Sequence, residues 1–172
     1  NKIVTTGGGG AIITNSDALA DEVKHITTTA KVPHPWEYRH DRIGYNYRLP
    51  NINAALGCAQ MEKLPVFLER KRDLAARYEE AFAGISGVRF FREPSYGRSN
   101  YWLNAIILEE SCADKRDAVL ACTNRHGIMT RPSWTLMHRL PMFAKCPRMD
   151  LSCAESLERR IINVPSGASL LT

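Results

Sequence analysis

The chain opens with NKIVTTGGGGAIIT at residues 1–14. Two short runs rich in β-branched residues, 3–6 and 11–14, flank four consecutive glycines. Glycine reaches positive φ without a Cβ penalty, so this pattern predicts two strands joined by a tight connection. The glycines match neither G-x-G-x-x-G nor the P-loop, so a plain hairpin and a phosphate-cradling loop both stay open. On its own, Lys2 is typical of a solvated surface lysine.

The next segment predicts a short helix and a long irregular loop. Residues 15–17, Asn-Ser-Asp, offer capping side chains, and residues 18–26 have the pattern of an amphipathic helix. No period holds from residue 27 to 47, where two prolines stand among many His, Trp, Tyr and Arg residues. Loops this rich in aromatic and charged groups commonly make functional contacts.

The remainder predicts a small α/β domain. We expect a helix over 54–64, a second helix opened by Pro65, strands at 88–91, 101–108 and 128–130, helices at 113–125 and 151–160, and a last extended segment at 161–165. The domain boundary is therefore placed at residues 64 and 65. Residues 1–64 would then be a piece that cannot close a core by itself, and residues 65–172 a separate small domain.

Composition excludes several classes of function. The net charge of +5 comes from scattered basic residues that build no phosphate track, which argues against nucleic-acid binding. No apolar run approaches the roughly 20 residues of a membrane span, so we expect a soluble protein. The five cysteines are odd in number and contain no C-x-x-C pair, which predicts neither disulfides nor a metal site and favours a reducing, cytoplasmic compartment.

Three motifs in series are more specific than any of them alone. After residues 1–14 come GYNYRLPNINAALG at 44–57 and QMEKL at 60–64. Together they resemble the DegT/StrS family of nucleotide-sugar aminotransferases, in which a lysine precedes a Thr-Thr-Gly-Glu-Gly-Gly hairpin and a later G-Y-N-Y-R segment. Residues 131–141 and 163–166 are most similar to the branch acting on UDP-linked 4-keto-6-deoxy sugars for legionaminic acid and similar surface glycans.

The resemblance implies a fold, a cofactor and a set of roles. The chain would be the carboxy-terminal part of a fold-type-I transferase dependent on pyridoxal 5′-phosphate (PLP), with the end of the large domain followed by a small α/β domain. Lys2 would bind PLP as the internal aldimine and transfer the proton in each half-reaction. Asn46 would reach the PLP phosphate of a neighbouring subunit in a homodimer, although its local sequence fits an Asx-type turn equally well. Arg48, beside it, could bind a phosphate of the nucleotide-sugar substrate or pair with a carboxylate. His138 matches a family histidine near the substrate, while a lone histidine more often packs or forms a hydrogen bond. The amino donor would be glutamate.

Two departures from the family pattern bear on function. Gly8 stands where the family has Glu, which Gly-rich hairpins of this branch tolerate. The chain also has no initiator Met, and the family's pyridine-binding aspartate, ring-stacking aromatic residue and most phosphate donors precede the lysine; we therefore expect a fragment that is inactive alone. A rival hypothesis is a non-catalytic remnant serving assembly or binding. A PLP-dependent sugar dehydratase would replace the lysine by histidine, so Lys2 argues against it.

Overall fold

The computed structural model describes residues 2–171. The chain divides into two compact units. The first is Val4–Leu64, and the second comprises Pro65 to the carboxyl end together with the residues before Val4. In the part of the chain that the structure describes, no helix combines the length and apolarity that a membrane span requires.

Helix α1, Asp17–Thr27, organises the first unit. The Ser16 hydroxyl accepts a hydrogen bond from the Leu19 amide at its amino terminus, so the predicted helix and its cap are confirmed. Among the described residues of this unit, Ala30 is the one that is fully buried. The unit therefore has almost no apolar core of its own.

The predicted hairpin at the start of the chain is wrong. Residues 3–6 and 11–14 do not pair as strands, and most of this segment is exposed. An isolated two-stranded hairpin is marginally stable in water, and four glycines carry a high entropic cost when they are ordered. The segment is instead held by side chains of a later helix, since Asn53 donates to the Thr6 carbonyl and the Gln60 side chain accepts from the Thr5 amide.

One helix replaces the two that were predicted around Pro65. Helix α2 spans Asn51–Phe82 and contains Pro65 in its interior. Proline cannot donate the hydrogen bond to the carbonyl four residues earlier, which is why the sequence indicates a break. Here the flanking turns continue the helix despite the missing bond, and the proline marks the boundary between the two compact units.

A four-stranded antiparallel sheet forms the second unit, with the strand order β1-β2-β4-β3. The strands are β1 Val88–Phe90, β2 Asn104–Leu108, β3 Arg131–Pro132 and β4 Ile161–Val164. Helices α3, Arg116–Arg125, and α4, Ser152–Glu158, complete it, with 3₁₀ turns at Glu110–Lys115, Met137–Arg139, Pro141–Phe143 and Ala168–Leu170. The core joins α2 to the sheet through six buried residues, which are Ala75, Phe90, Ile106, Leu108, Ile162 and Val164.

Two strands begin later than the sequence predicts. Tyr101 has φ +46° and the Trp102 amide donates to the Asn100 side chain, so a turn occupies the predicted start of β2. Before β3, the carbonyl of Thr130 accepts from the side chain of Asn124 in α3. Strand pairing consequently starts at Arg131, opposite Asn163.

Candidate active site

Lys2 lies on an aromatic surface of the second unit. Its side chain is exposed, and its Nζ atom is 3.3 Å from the centroid of the Trp102 ring. The Trp102 ring stacks on Trp134, with centroids 6.0 Å apart and an interplanar angle of 25°. The Lys2 amine is therefore exposed to solvent and lies over the face of the Trp102 ring.

A separate cavity in the Val4–Leu64 unit brings other predicted residues together. It has a volume of about 760 Å³, and its lining includes Gly8, Gly9 and Gly10 as well as Asn46 and Arg48. The glycine run and the G-Y-N-Y-R segment, some 35 residues apart in sequence, therefore share one concave surface. The sequence predicts functional contacts for the loop that contains Asn46 and leaves the role of the glycine run open, and no local pattern indicates that the two segments lie side by side.

Asn46 is positioned by backbone pairing with the end of α1. Thr28 and Asn46 form an isolated antiparallel bridge, and the amides of Tyr45 and Tyr47 donate to the Ile26 and Thr27 carbonyls at 2.7 and 2.9 Å. These bonds fix the backbone on both sides of Asn46. The side chain of Asn46 is exposed at the cavity, where its amide can meet a ligand.

Close packing at Gly44 sets the entry to this segment. A Cβ atom on Gly44 would lie 2.4 Å from the Thr29 carbonyl carbon and 2.5 Å from the Ala30 nitrogen. Both contacts are with backbone, which cannot rotate away as a side-chain tip can. The glycine of the G-Y-N-Y-R motif is thus required by the close approach of two chain segments.

Within the glycine run, Gly9 has no room for a side chain, whereas the neighbouring Gly8 does. Gly9 has φ +132°, and a Cβ there would lie 2.8 Å from the side chain of Leu49. A Cβ on Gly8 would meet nothing within 4 Å, so the position where the family has Glu is open. The Thr6 hydroxyl donates to the Gly8 carbonyl at 2.7 Å and stabilises the turn.

The chemistry of this cavity suits an anionic group. Arg48 contributes a guanidinium that stays charged at neutral pH, and Asn46 contributes an amide donor. Glycine backbone allows close approach of a phosphate, because no side chain shields the amides. The residues present therefore fit a phosphate-bearing cofactor at this surface.

His138 is held by one carboxylate of the second unit, that of Glu155. Its Nε2 atom is 2.8 Å from Glu155 Oε1 in α4, and its side chain is mostly buried. Arg139 also contacts Glu155, at 3.8 Å, and Glu158, at 3.2 Å. The structure thus gives His138 a defined partner that its sequence neighbourhood did not indicate.

The two histidines of the long loop, His34 and His40, bond to the backbone and do not cluster. His34 Nδ1 accepts from the Glu37 amide at 2.9 Å, and His40 Nδ1 is 2.7 Å from the Thr29 carbonyl. His25 bonds Asp41, and this bond lowers the pKa of the Asp41 carboxyl. Over residues 2–171 no group of three or more His, Cys, Asp or Glu side chains could hold a metal ion.

Comparison with known proteins identifies the family of this chain. The profile of the DegT/DnrJ/EryC1/StrS aminotransferase family matches residues 1–172. The chain belongs to this family, which confirms the family resemblance, the fold class and the expected cofactor, PLP.

Individual relatives agree with this assignment. The chain is 36% identical over 174 residues to EpsN of Bacillus subtilis, assigned as a pyridoxal phosphate-dependent aminotransferase, and 32% identical to GDP-perosamine synthase of Vibrio cholerae. Each alignment covers 99% of this chain. The fold matches that of Helicobacter pylori PseC, an aminotransferase of pseudaminic acid biosynthesis, with a TM-score of 0.87 over 98% of this chain at 22% identity.

The match covers only part of each relative. The chain spans 44% of the length of EpsN, 46% of GDP-perosamine synthase and 46% of the PseC chain.

Proposed function

We propose that this chain is the carboxy-terminal part of an enzyme that transfers an amino group from glutamate to C4 of a nucleotide-linked 4-keto-6-deoxy sugar in cytoplasmic surface-glycan biosynthesis. Family membership supports the aminotransferase activity, and relatives 32 to 35% identical are named GDP-perosamine synthases. Their product carries GDP, whereas the motif resemblance favours the UDP-linked branch. The proposal therefore rests on what these substrates share, a sugar attached to a nucleoside diphosphate.

The observation that supports this function most directly is Lys2, which stands five residues before the start of the glycine run at Gly7. When bound, PLP acts as an electron sink for carbanions formed at the carbon that bears the nitrogen. The Lys2 amine would hold the cofactor covalently and, once released, accept and return a proton at Nζ. An arginine could do neither at neutral pH, because its guanidinium does not deprotonate.

Asn46 and Arg48 would act on phosphate groups from their shared cavity. We propose that Asn46 binds the PLP phosphate of the partner subunit in a homodimer, and that Arg48 binds a phosphate of the nucleotide sugar. The exposed Asn46 side chain and the adjoining guanidinium support these roles, since charge-assisted hydrogen bonds are the strong ones in phosphate recognition. His138 would contact the sugar, with Glu155 orienting its ring.

The same proposal assigns the two parts of the chain. Residues 1–64 would be the end of the large PLP-binding domain and residues 65–172 the small domain. The nearly coreless Val4–Leu64 unit supports this, because it needs further protein to cover its exposed apolar residues. Residues 1–172 alone would then be inactive, since the remaining cofactor contacts come from elsewhere in the protein.

Borohydride reduction of the full-length protein with PLP tests the proposal. Mass spectrometry of the digest should find the pyridoxyl group on Lys2, and Lys2→Ala or Lys2→Arg should abolish both this adduct and glutamate-dependent amination of a nucleotide 4-keto-6-deoxy sugar. Lys63→Arg, at another exposed lysine, is the matched control and should keep both. Amination that persists without Lys2 would exclude it from the reaction. A full-length protein with no adduct and no amination would favour the non-catalytic remnant.

A further inference from the structure

Asn104, the first residue of β2, has a buried side chain without a hydrogen-bond partner. The residue is 1% exposed, and neither its Nδ2 nor its Oδ1 atom bonds to any residue that the structure describes. Burying an amide is costly unless its polar atoms are hydrogen-bonded, and the large majority of buried polar side chains have a partner. The Asn104 side chain therefore indicates a partner that is not part of the chain.

The Asn104 side chain lies on the face of the sheet that packs against α2. Side chains alternate between the two faces of a strand, so Asn104 shares a face with Ile106 and Leu108, which belong to the core between α2 and the sheet. Its backbone is fixed, because Asn104 pairs with Val164 and its amide donates to Ser166 Oγ at 2.8 Å. The polar side chain thus lies at one end of an apolar interface.

Lys71 brings a second polar group to the same end of this interface. It is 4% exposed and lies on α2, one turn before the core residue Ala75. Its Nζ atom donates to the carbonyls of Trp102 and Ser166. An ammonium has three N–H donors, so these two bonds leave one of them for a further acceptor.

The two groups are neighbours, because they bond to the same residue. The Asn104 amide donates to the hydroxyl of Ser166, and Lys71 donates to the carbonyl of Ser166. Lys71 also bonds the carbonyl of Trp102, two residues before Asn104. No direct hydrogen bond joins Lys71 to the Asn104 side chain. Adjacent polar groups that do not bond directly are commonly bridged by water.

We propose that an internal water molecule binds between the Asn104 side chain and the Lys71 ammonium. The water oxygen accepts from Lys71 Nζ and from Asn104 Nδ2 or donates to Asn104 Oδ1, and about three bonds of this kind are typical of a buried water. An anion accepts from both nitrogen atoms but has no proton to donate to Oδ1. The helix and the sheet then meet through a hydrated contact beneath the turn that carries Trp102. The inference is independent of the proposed enzymatic function.

Crystallography of the full-length protein tests the site directly. A structure that resolves ordered waters should show one of them bonded to both the Asn104 side chain and Lys71 Nζ. A second crystal, soaked in sodium bromide, distinguishes water from an anion, because bromide has an anomalous signal and water has none. Bromide at this position would overturn the proposal. So would side chains that bond each other directly with no water between them.

The sign of the effect of Asn104→Leu gives an independent test in solution. Leucine has the same branched shape but no polar atom. Loss of the water's partner would leave the Lys71 ammonium short of an acceptor, so the region should open more often. Hydrogen–deuterium exchange of the full-length protein, followed by mass spectrometry of peptides that cover β2, measures this opening. We expect exchange to become about tenfold faster in Asn104→Leu.

The same substitution in a Lys71→Met background separates the loss of the water from poor packing. Without the ammonium, the leucine methyl groups meet an apolar neighbour, and Asn104→Leu should change the exchange rate by less than about twofold. Slower exchange in Asn104→Leu alone would mean that the amide has no partner, and an equal increase in both backgrounds would mean that leucine packs badly. Either result overturns the proposal. The crystallographic test needs no variant, so it decides the question if Asn104→Leu does not fold.

Discussion

Arg72 and Glu93 form a two-bond ion pair that ties α2 to the segment following β1. Arg72 Nη1 donates to Glu93 Oε2 at 3.0 Å, and Nη2 donates to the other carboxylate oxygen. The Ser99 amide also donates to Glu93. These hydrogen bonds lower the pKa of Glu93 to about 2, and the bond from Arg72 has the largest effect. The Arg72 guanidinium also lies 5.6 Å from the centroid of the ring of Tyr101, the residue that precedes Trp102 in the sequence.

This pair should make stability depend on acid pH. Folding lowers the pKa of this carboxyl, so the ionised group stabilises the native state at pH values above its pKa in the unfolded chain, near 4.5. This stabilisation is lost as the pH falls from 4.5 towards 2, where the carboxyl is protonated in the folded protein as well. We expect Glu93→Gln to lower the thermal midpoint at pH 7, with the difference from wild type shrinking steadily below pH 4.5. Thermal melts from pH 7 to pH 2.5 measure it. A difference that is constant across this range would mean that Glu93 acts through shape rather than charge.

Gly44→Ala should destabilise the segment that carries Asn46. The new methyl would meet the backbone of Thr29 and Ala30 at 2.4–2.5 Å, so one chain segment must move. Overpacking of this kind costs about 1–3 kcal/mol in free energy of unfolding. Gly8→Ala is the matched control, because its methyl meets nothing within 4 Å. Denaturant titration measures the free energy of unfolding of both variants. Equal stabilities would refute the close approach at Gly44.

Local signals in the sequence predicted what local interactions determine. Ser16 and the apolar period after it were sufficient for α1. Asn46 was singled out only by the resemblance of G-Y-N-Y-R to the family motif, and its role stays a prediction. Pro65 misled the helix prediction because a single missing hydrogen bond is outweighed by the turns on either side. The contact of Lys2 with Trp102 joins residues 100 positions apart, and no spacing rule could indicate it.

Lys71 offers a second pH-dependent test, with the opposite sign. Burial lowers the pKa of its ammonium, so the folded protein releases this proton at a lower pH than the unfolded chain does. Stability should therefore rise with pH from the folded-state pKa up to about 10.4, the unfolded value. Lys71→Met removes this rise.

The quantity to measure is the difference in free energy of unfolding between wild type and Lys71→Met. Burial raises the pKa of Tyr78, which acts in the other direction at high pH, but Tyr78 is common to both proteins and its contribution largely cancels. Urea titrations at several pH values from 7 to 10 should show wild type gaining stability relative to Lys71→Met. A flat difference would indicate that the folded state leaves the proton affinity of Lys71 unaltered.

The proposed active site is shared between two subunits. Lys2 and Asn46 belong to different compact units, and the family resemblance assigns Asn46 to the partner's cofactor phosphate. Asn46→Ala in the full-length protein should weaken PLP retention by roughly 1.5–3 kcal/mol, the value for a hydrogen bond to a charged group. Its exposed position predicts little change in folding. Equilibrium dialysis of PLP together with thermal melts checks both statements.

Mixing two defective variants then distinguishes action within one subunit from action across the interface. In a heterodimer of Lys2→Ala with Asn46→Ala, sharing across the interface concentrates both defects in one site and leaves the other site intact. Random exchange would restore roughly a quarter of the wild-type sites, assayed at a PLP concentration too low to fill the Asn46→Ala homodimer. A mixture of Lys2→Ala with Lys2→Arg is the control and should recover nothing, because every site lacks the amine. If differently tagged subunits exchange and the first mixture also stays inactive, Asn46 does not serve the partner's site, and the shared-site proposal fails.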